Sequence, residues 1–163
     1  MGKQVNKEIN RNMTRCQSEK IRKATIDDLA RIAEIVIFNY RLKFYPIFKN
    51  DDYYFYALQV PTIMKQYESM IDHMWVYDDG AVKGMIHIEN QDIKKLFVEP
   101  VLQGNGIGSK LLTYAIEKHN ANTLWALEKN VRAIRFYERH GFQITTDKKL
   151  EEDTTEYLIR LER

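Results

Sequence analysis

A chain of 163 residues with 44% hydrophobic and 12% aromatic side chains is sized for one domain with its own core. Its 25 basic and 23 acidic residues leave a net charge of +2, which gives no reason to expect a nucleic-acid or anionic-membrane partner, so any charged ligand must be met locally. No apolar run is long enough for a membrane span, and Cys16 has no second cysteine for a disulfide or a thiolate metal site; a soluble cytoplasmic protein without a metal is expected.

The opening stretch "MGKQVNKEINRNMTRCQSEK" is polar and aperiodic and lacks the apolar core of a signal peptide. It predicts a flexible tail over 1–18, with Met13 an alternative start, ahead of a single domain over 19–163. "EKIRKAT" alternates like a short strand, and "IDDLARIAEIVIFNYRLKF" carries apolar residues at helical spacing, with Thr25 or Asp27 as cap. Pro46 and "KNDD" interrupt the pattern. A second helical stretch, "DYYFYALQVPTIMKQYESMI", has Pro61 inside it, which predicts a break or kink there. "HMWVYDDGAVKGMIHIENQDIKKLFVEP" reads as three strands joined by turns at Asp79-Gly80 and Asn90-Gln91-Asp92, an antiparallel meander. After Pro100 come a glycine-rich loop, the helix "IGSKLLTYAIEKHN", the strand "NTLWALEKN", a short helix "VRAIRFYERH" closed by Gly141, and two last strands in "FQITTDKKL" and "TEYLIRLE".

The loop "LQGNGIGSK" sets Gly104, Gly106 and Gly108 at alternate positions before a helix. Glycines allow unusual backbone angles and close approach, and the helix start adds unpaired amides and the positive end of its dipole. Taken alone, the loop suits either a tight strand-to-helix turn or a phosphate cradle. The dinucleotide fingerprint fails because Ser109 stands three residues after Gly106, and a Walker loop fails because Ser109-Lys110-Leu111 stands where Gly-Lys-Ser/Thr is required. Gln103-x-x-Gly106-x-Gly108, preceded by "LFVEP", resembles the acyl-coenzyme A pyrophosphate loop of the GNAT superfamily of N-acyltransferases. The resemblance implies that Gln103, Gly104, Asn105, Gly106, Ile107, Gly108 and Ser109 surround the pyrophosphate, although the family pattern does not require Gly104. It also implies that Leu96, Phe97 and Val98 face the pantetheine arm.

A separate stretch, "LEKNVRAIRFYERHGF", resembles the family's second signature through Asn130, Ala133, Phe136-Tyr137 and Gly141-Phe142. Asn130 can cap the helix or meet the cofactor, and Ala133 allows close approach. Ala133, Phe136 and Tyr137 share one helix face, which by itself is ordinary core packing. Beside the glycine loop, the resemblance implies that Tyr137 is the general acid protonating the departing thiolate, and that Asn130, Ala133 and Phe136 also border the cofactor. It further implies an α+β fold, a mixed and largely antiparallel sheet of about seven strands flanked by about four helices. The expected activity is direct transfer of acetyl from acetyl-CoA to a primary amine of a small molecule, peptide or protein, in a ternary complex. An N–H near Phe97 or Val98 would polarise the acyl carbonyl.

The base that takes the amine proton is less distinct. The resemblance implies that Asp92 falls where some family members carry a glutamate or histidine as base, and a structural turn explains it equally well. Glu89 and His87 share a face of the preceding strand and come next, His87 also as a substrate contact. Tyr45, Tyr53 and Tyr54, from an aromatic stretch with interleaved charges, are candidate substrate contacts, against a plain reading as packed helices. The four histidines and the carboxylates show no metal-ligand spacing. A rival reading is a coenzyme A-binding regulatory domain without turnover; the oligomer would be a monomer or homodimer.

Overall fold

The computed structural model describes residues 20–163. The expected tail, Met13 and Cys16 lie outside the described residues. A seven-stranded sheet in the order β1-β2-β3-β4-β5-β7-β6 is built from β1 (Ile21–Lys23), β2 (Met74–Asp78), β3 (Val82–Glu89), β4 (Asp92–Val98), β5 (Thr123–Leu127), β6 (Gln143–Leu150) and β7 (Tyr157–Glu162). Neighbours are antiparallel except β4 and β5, which run parallel. The expected meander is therefore present as β2-β3-β4, and the sheet is mixed because a helix carries the chain from the end of β4 back to the start of β5.

Helix α1 (Leu29–Lys43) buries Leu29, Ile32, Ala33, Val36 and Ile37, the i, i+3, i+4, i+7, i+8 stripe read from the sequence. Its lead-in is fixed by Asp28, whose carboxylate accepts from the Thr25 backbone N–H at 2.8 Å and from both terminal nitrogens of Arg22 at 2.8 Å. A four-residue helix, α2 (Tyr45–Phe48), and a π-helical turn over Asp52–Ala57 follow. Pro61 does not kink a long helix. It stands in the first turn of a new one, α3 (Val60–Glu68), after an extended Gln59. A proline lacks the N–H that a helix start leaves unpaired, so the first turn accommodates it.

Helices α1 and α3 cover one sheet face, with Val76, Met85 and Phe97 beneath them. Helices α4 (Ile107–His119) and α5 (Val131–Arg139) belong to the opposite face, where Leu111, Leu112, Ala115 and Ile134 pack on Ile86, Ile88 and Leu124. Two cores on one sheet hold its central strands rigid from both sides.

One irregularity shapes the molecule. His87 pairs with Lys95 and Ile88 with Ile93, so Lys94 is an extra residue in β4. A bulge bends its strand, and the pairing of β4 with β5 is confined to Asp92–Thr123 and Ile93–Leu124. Beyond Lys94 the two strands diverge.

Candidate active site

The wedge between the diverging strands is a cavity of about 720 Å³. Ile93 to Phe97 of β4 form one wall and Trp125 to Leu127 of β5 the other; Asn130, Ala133 and Tyr137 belong to the segment after β5. Tyr40, Lys43, Tyr53 and Tyr54 arrive from the α1–α3 region, and Glu151, Glu152 and Asp153 from the turn between β6 and β7. The free edge of β4 gives this cavity a row of main-chain groups. The Val98 carbonyl accepts from Asn39 at 2.9 Å and Gln103 at 3.1 Å, while the next amide, Glu99, donates to Lys83 of β3 at 2.9 Å. Alternation along the strand then turns the Leu96 and Val98 main chain toward the open edge and that of Phe97 toward β3.

At the end of β4 the chain enters the glycine loop. Gly104 and Gly106 have φ of +85° and +83°, and a Cβ on either would stand in open space. Gly106 is the N-cap of α4, so the next three amides have no upstream helical carbonyl. Gly108 is different. It lies inside the helix, and a Cβ there would make an ordinary contact with Phe136 at 3.5 Å. The left-handed conformation that favours glycine thus falls on Gly104 and Gly106.

Gln103 faces inward, donating to Asn39 Oδ1 at 2.9 Å. Asn39, fully buried in α1, donates in turn to the Ile35 and Val98 carbonyls. This network ties α1 to β4 and to the loop. Asn39→Ala strips the Val98 carbonyl and Gln103 of a buried partner, and urea denaturation should register a loss of about 1–3 kcal/mol. Asn39 carried a signal in the sequence: a polar residue continuing the apolar stripe of α1.

Tyr137 is 8% exposed, and burial alone raises its phenol above the ordinary tyrosine value. Its ring packs edge-on against Phe136 and Phe142, and among the described residues its hydroxyl has no hydrogen-bond partner. Asn130 caps α5, accepting from the Ala133 amide at 3.3 Å. Lys43 is half-buried beside the Phe97 ring, and burial, with Arg132 second, brings its ammonium down to about 8.

The candidate bases lie off the cavity wall. Asp92 accepts from Lys94 at 2.7 Å and from Thr123 at 3.1 Å, at the point where β4 and β5 still pair. His87 is buried, its Nε2 is 3.0 Å from Glu89, and burial lowers its pKa. Tyr45 donates to Asp51 and stacks edge-on with Tyr54, which does line the cavity. Tyr40 was not anticipated; its hydroxyl accepts from Lys95 at 2.7 Å on the cavity wall. Among the described residues no helix is long and apolar enough to cross a membrane, and no cluster of three metal-ligating side chains occurs.

Fold and cavity together define an α+β protein with a cleft between β4 and β5 and a glycine-led helix start after β4. Residues 71–144 match the acetyltransferase (GNAT) domain family. The peptidyl-lysine N-acetyltransferase YiaC of Escherichia coli K12 is 36% identical over 72 residues, 43% of this chain and 49% of that protein. The peptidyl-lysine N-acetyltransferase YjaB of Salmonella typhimurium is 30% identical over 74 residues, 44% and 51% of the two. The chain thus matches about half the length of these curated relatives. Among solved structures, the PaiA N-acetyltransferase of Thermoplasma acidophilum in complex with coenzyme A superposes with a TM-score of 0.69 at 19% identity, over 88% of this chain and 98% of that one. YncA of Salmonella typhimurium with acetyl-CoA gives 0.61 at 21% identity, over 86% and 90%. Residues 71–144 thus resemble the GNAT acetyltransferase domain, and the chain shares the fold of these solved structures.

Proposed function

We propose that the chain is an acetyl-CoA-dependent N-acetyltransferase acting on a primary amine, with peptidyl lysine, the acceptor class in the names of its curated relatives, as the first class to try. The observation that carries this reading is the unpartnered hydroxyl of Tyr137 in a cleft whose open β4 edge runs into the Gly104–Gly106 helix start. These groups fit the cofactor. The Leu96 main chain and the Val98 N–H suit the pantetheine arm, and the amides following Gly106 suit the pyrophosphate. When bound, acetyl-CoA supplies the acyl group as an activated thioester. The β4 edge amides supply hydrogen bonds to the carbonyl oxygen as it gains charge. Tyr137 gives its phenolic proton to the departing sulfur, and burial keeps that proton in place until it is needed.

The amine proton passes to a carboxylate on the cavity wall, where Glu151, Glu152 and Asp153 stand. Asp92 holds β4 to β5 instead. That absence of a carboxylate on the β4 wall is also what favours the rival reading, a coenzyme A-binding domain without turnover. Thiol release over a panel of lysine peptides and small amines separates the two. Turnover by the wild type supports the enzyme; tight coenzyme A binding with no amine acetylated supports the regulator. In the same assay Asp92→Ala should keep kcat within about twofold, and a much larger fall would make Asp92 the base.

A further inference from the structure

Lys43 ends α1 and lines the cavity, and Arg132 stands in the first turn of α5 between Asn130 and Ala133, which also line it. Neither forms an ion pair or a side-chain hydrogen bond among the described residues, and they are close enough for Arg132 to work against the charge on Lys43. Two further placements are unfavourable as they stand. Arg132 puts a cation at the positive end of a helix dipole whose first turn has no acidic residue, and Lys43 is drawn partly out of water beside Phe97. An anion between the two side chains would relieve all three conflicts at once.

We propose that Lys43 and Arg132 form a cationic strap at the cleft that grips a phosphate group of the bound cofactor, a contact additional to the glycine loop. The proposal rests on the coenzyme A reading of the cleft. It also couples binding to protonation: an anion beside Lys43 favours its charged form, so the complex holds more protons than the free protein and affinity falls as pH rises through about 8. The other titratable groups lining this cavity are Tyr40 from α1, Lys94 and Lys95 from β4, Tyr53 and Tyr54 from the π-helical turn, Tyr137 from α5, and Glu151, Glu152 and Asp153 on the β6–β7 turn. None of them pairs with Lys43.

Isothermal titration calorimetry on the full chain tests the strap, using coenzyme A, dephospho-coenzyme A, 4′-phosphopantetheine and pantetheine against wild type, Lys43→Gln and Arg132→Gln. Each variant should bind coenzyme A about tenfold more weakly, while pantetheine, which has no phosphate, should bind all three proteins alike. At pH 8, comparison of buffers with different ionisation enthalpies should show wild type taking up about half a proton, and Lys43→Gln none. A penalty that disappears with dephospho-coenzyme A assigns the strap to the 3′-phosphate; one that persists there and in 4′-phosphopantetheine assigns it to the phosphate of the arm. Equal coenzyme A affinities in all three proteins, or a penalty retained with pantetheine, overturns the strap. Failure of wild type to bind coenzyme A overturns the cofactor reading itself. Arg132 is exposed, so its variant decides the matter even if Lys43→Gln folds poorly.

Discussion

Gly106→Val is expected to abolish coenzyme A binding and leave the domain folded. At φ +83° a side chain is strained by about 1–2 kcal/mol, and a β-branched one by more. A Cβ at this position meets no atom within 4 Å, so nothing in the core opposes it. The strain is relieved by rotating the loop, and that turns the first amides of α4 away from their common focus. Losing two hydrogen bonds to a charged group, at about 1.5–3 kcal/mol each, lowers affinity by more than about 100-fold. Calorimetry with coenzyme A, alongside circular dichroism and a thermal melt, checks both halves of the expectation. Gly108→Ala is the contrast: its Cβ makes only ordinary contact with Phe136 and Val98, and affinity should stay within about threefold. If Gly106→Val binds coenzyme A like wild type, the loop is a turn and nothing more.

That contrast also shows what the sequence could and could not disclose. Three alternating glycines and the spacing of Asn130, Ala133 and Tyr137 were legible because each motif is local, a few residues that one helix start or one helix face brings together. Which glycine needs left-handed backbone was not legible, since spacing counts residues and φ depends on where the strand ends and the helix begins. The cleft itself was hidden. It depends on Lys94 being an extra residue against β3 and on β5 leaving β4 at that same residue, a register relation between strands with a helix between them in the chain.

The same limit explains Asp92. Its residue type and position suited a base, but its hydroxyl partner, Thr123, comes from a strand 31 residues further on. Asn39 reaches Val98 and Gln103 across still longer separations, 59 and 64 residues. The acids at 151–153 reach the cavity only because β6 and β7 fold back beside β5. Long-range register, more than composition, decides which side chains share a site.

Tyr137→Phe separates a catalytic tyrosine from a packed one. The ring is held by Phe136 and Phe142 at 5.2 and 5.8 Å between centroids, and phenylalanine keeps both contacts. The hydroxyl has no protein partner among the described residues, so its removal forfeits no internal hydrogen bond and the melting temperature should hold or rise slightly. If the hydroxyl protonates the departing thiolate, kcat should fall by about 10²–10⁴ with little change in coenzyme A affinity. The pH dependence carries the sign of the shift. Burial raises the phenol above its ordinary value of about 10, so the proton is present throughout the neutral and mildly alkaline range, and wild type should show no downturn from Tyr137 below about pH 10. The acid limb, set by deprotonation of the acceptor amine, should survive in the variant at a lower plateau. Steady-state thiol release from pH 6 to pH 10 reads both. An unchanged kcat would place the hydroxyl outside the chemistry and leave Tyr137 as a core residue of the α4–α5 face.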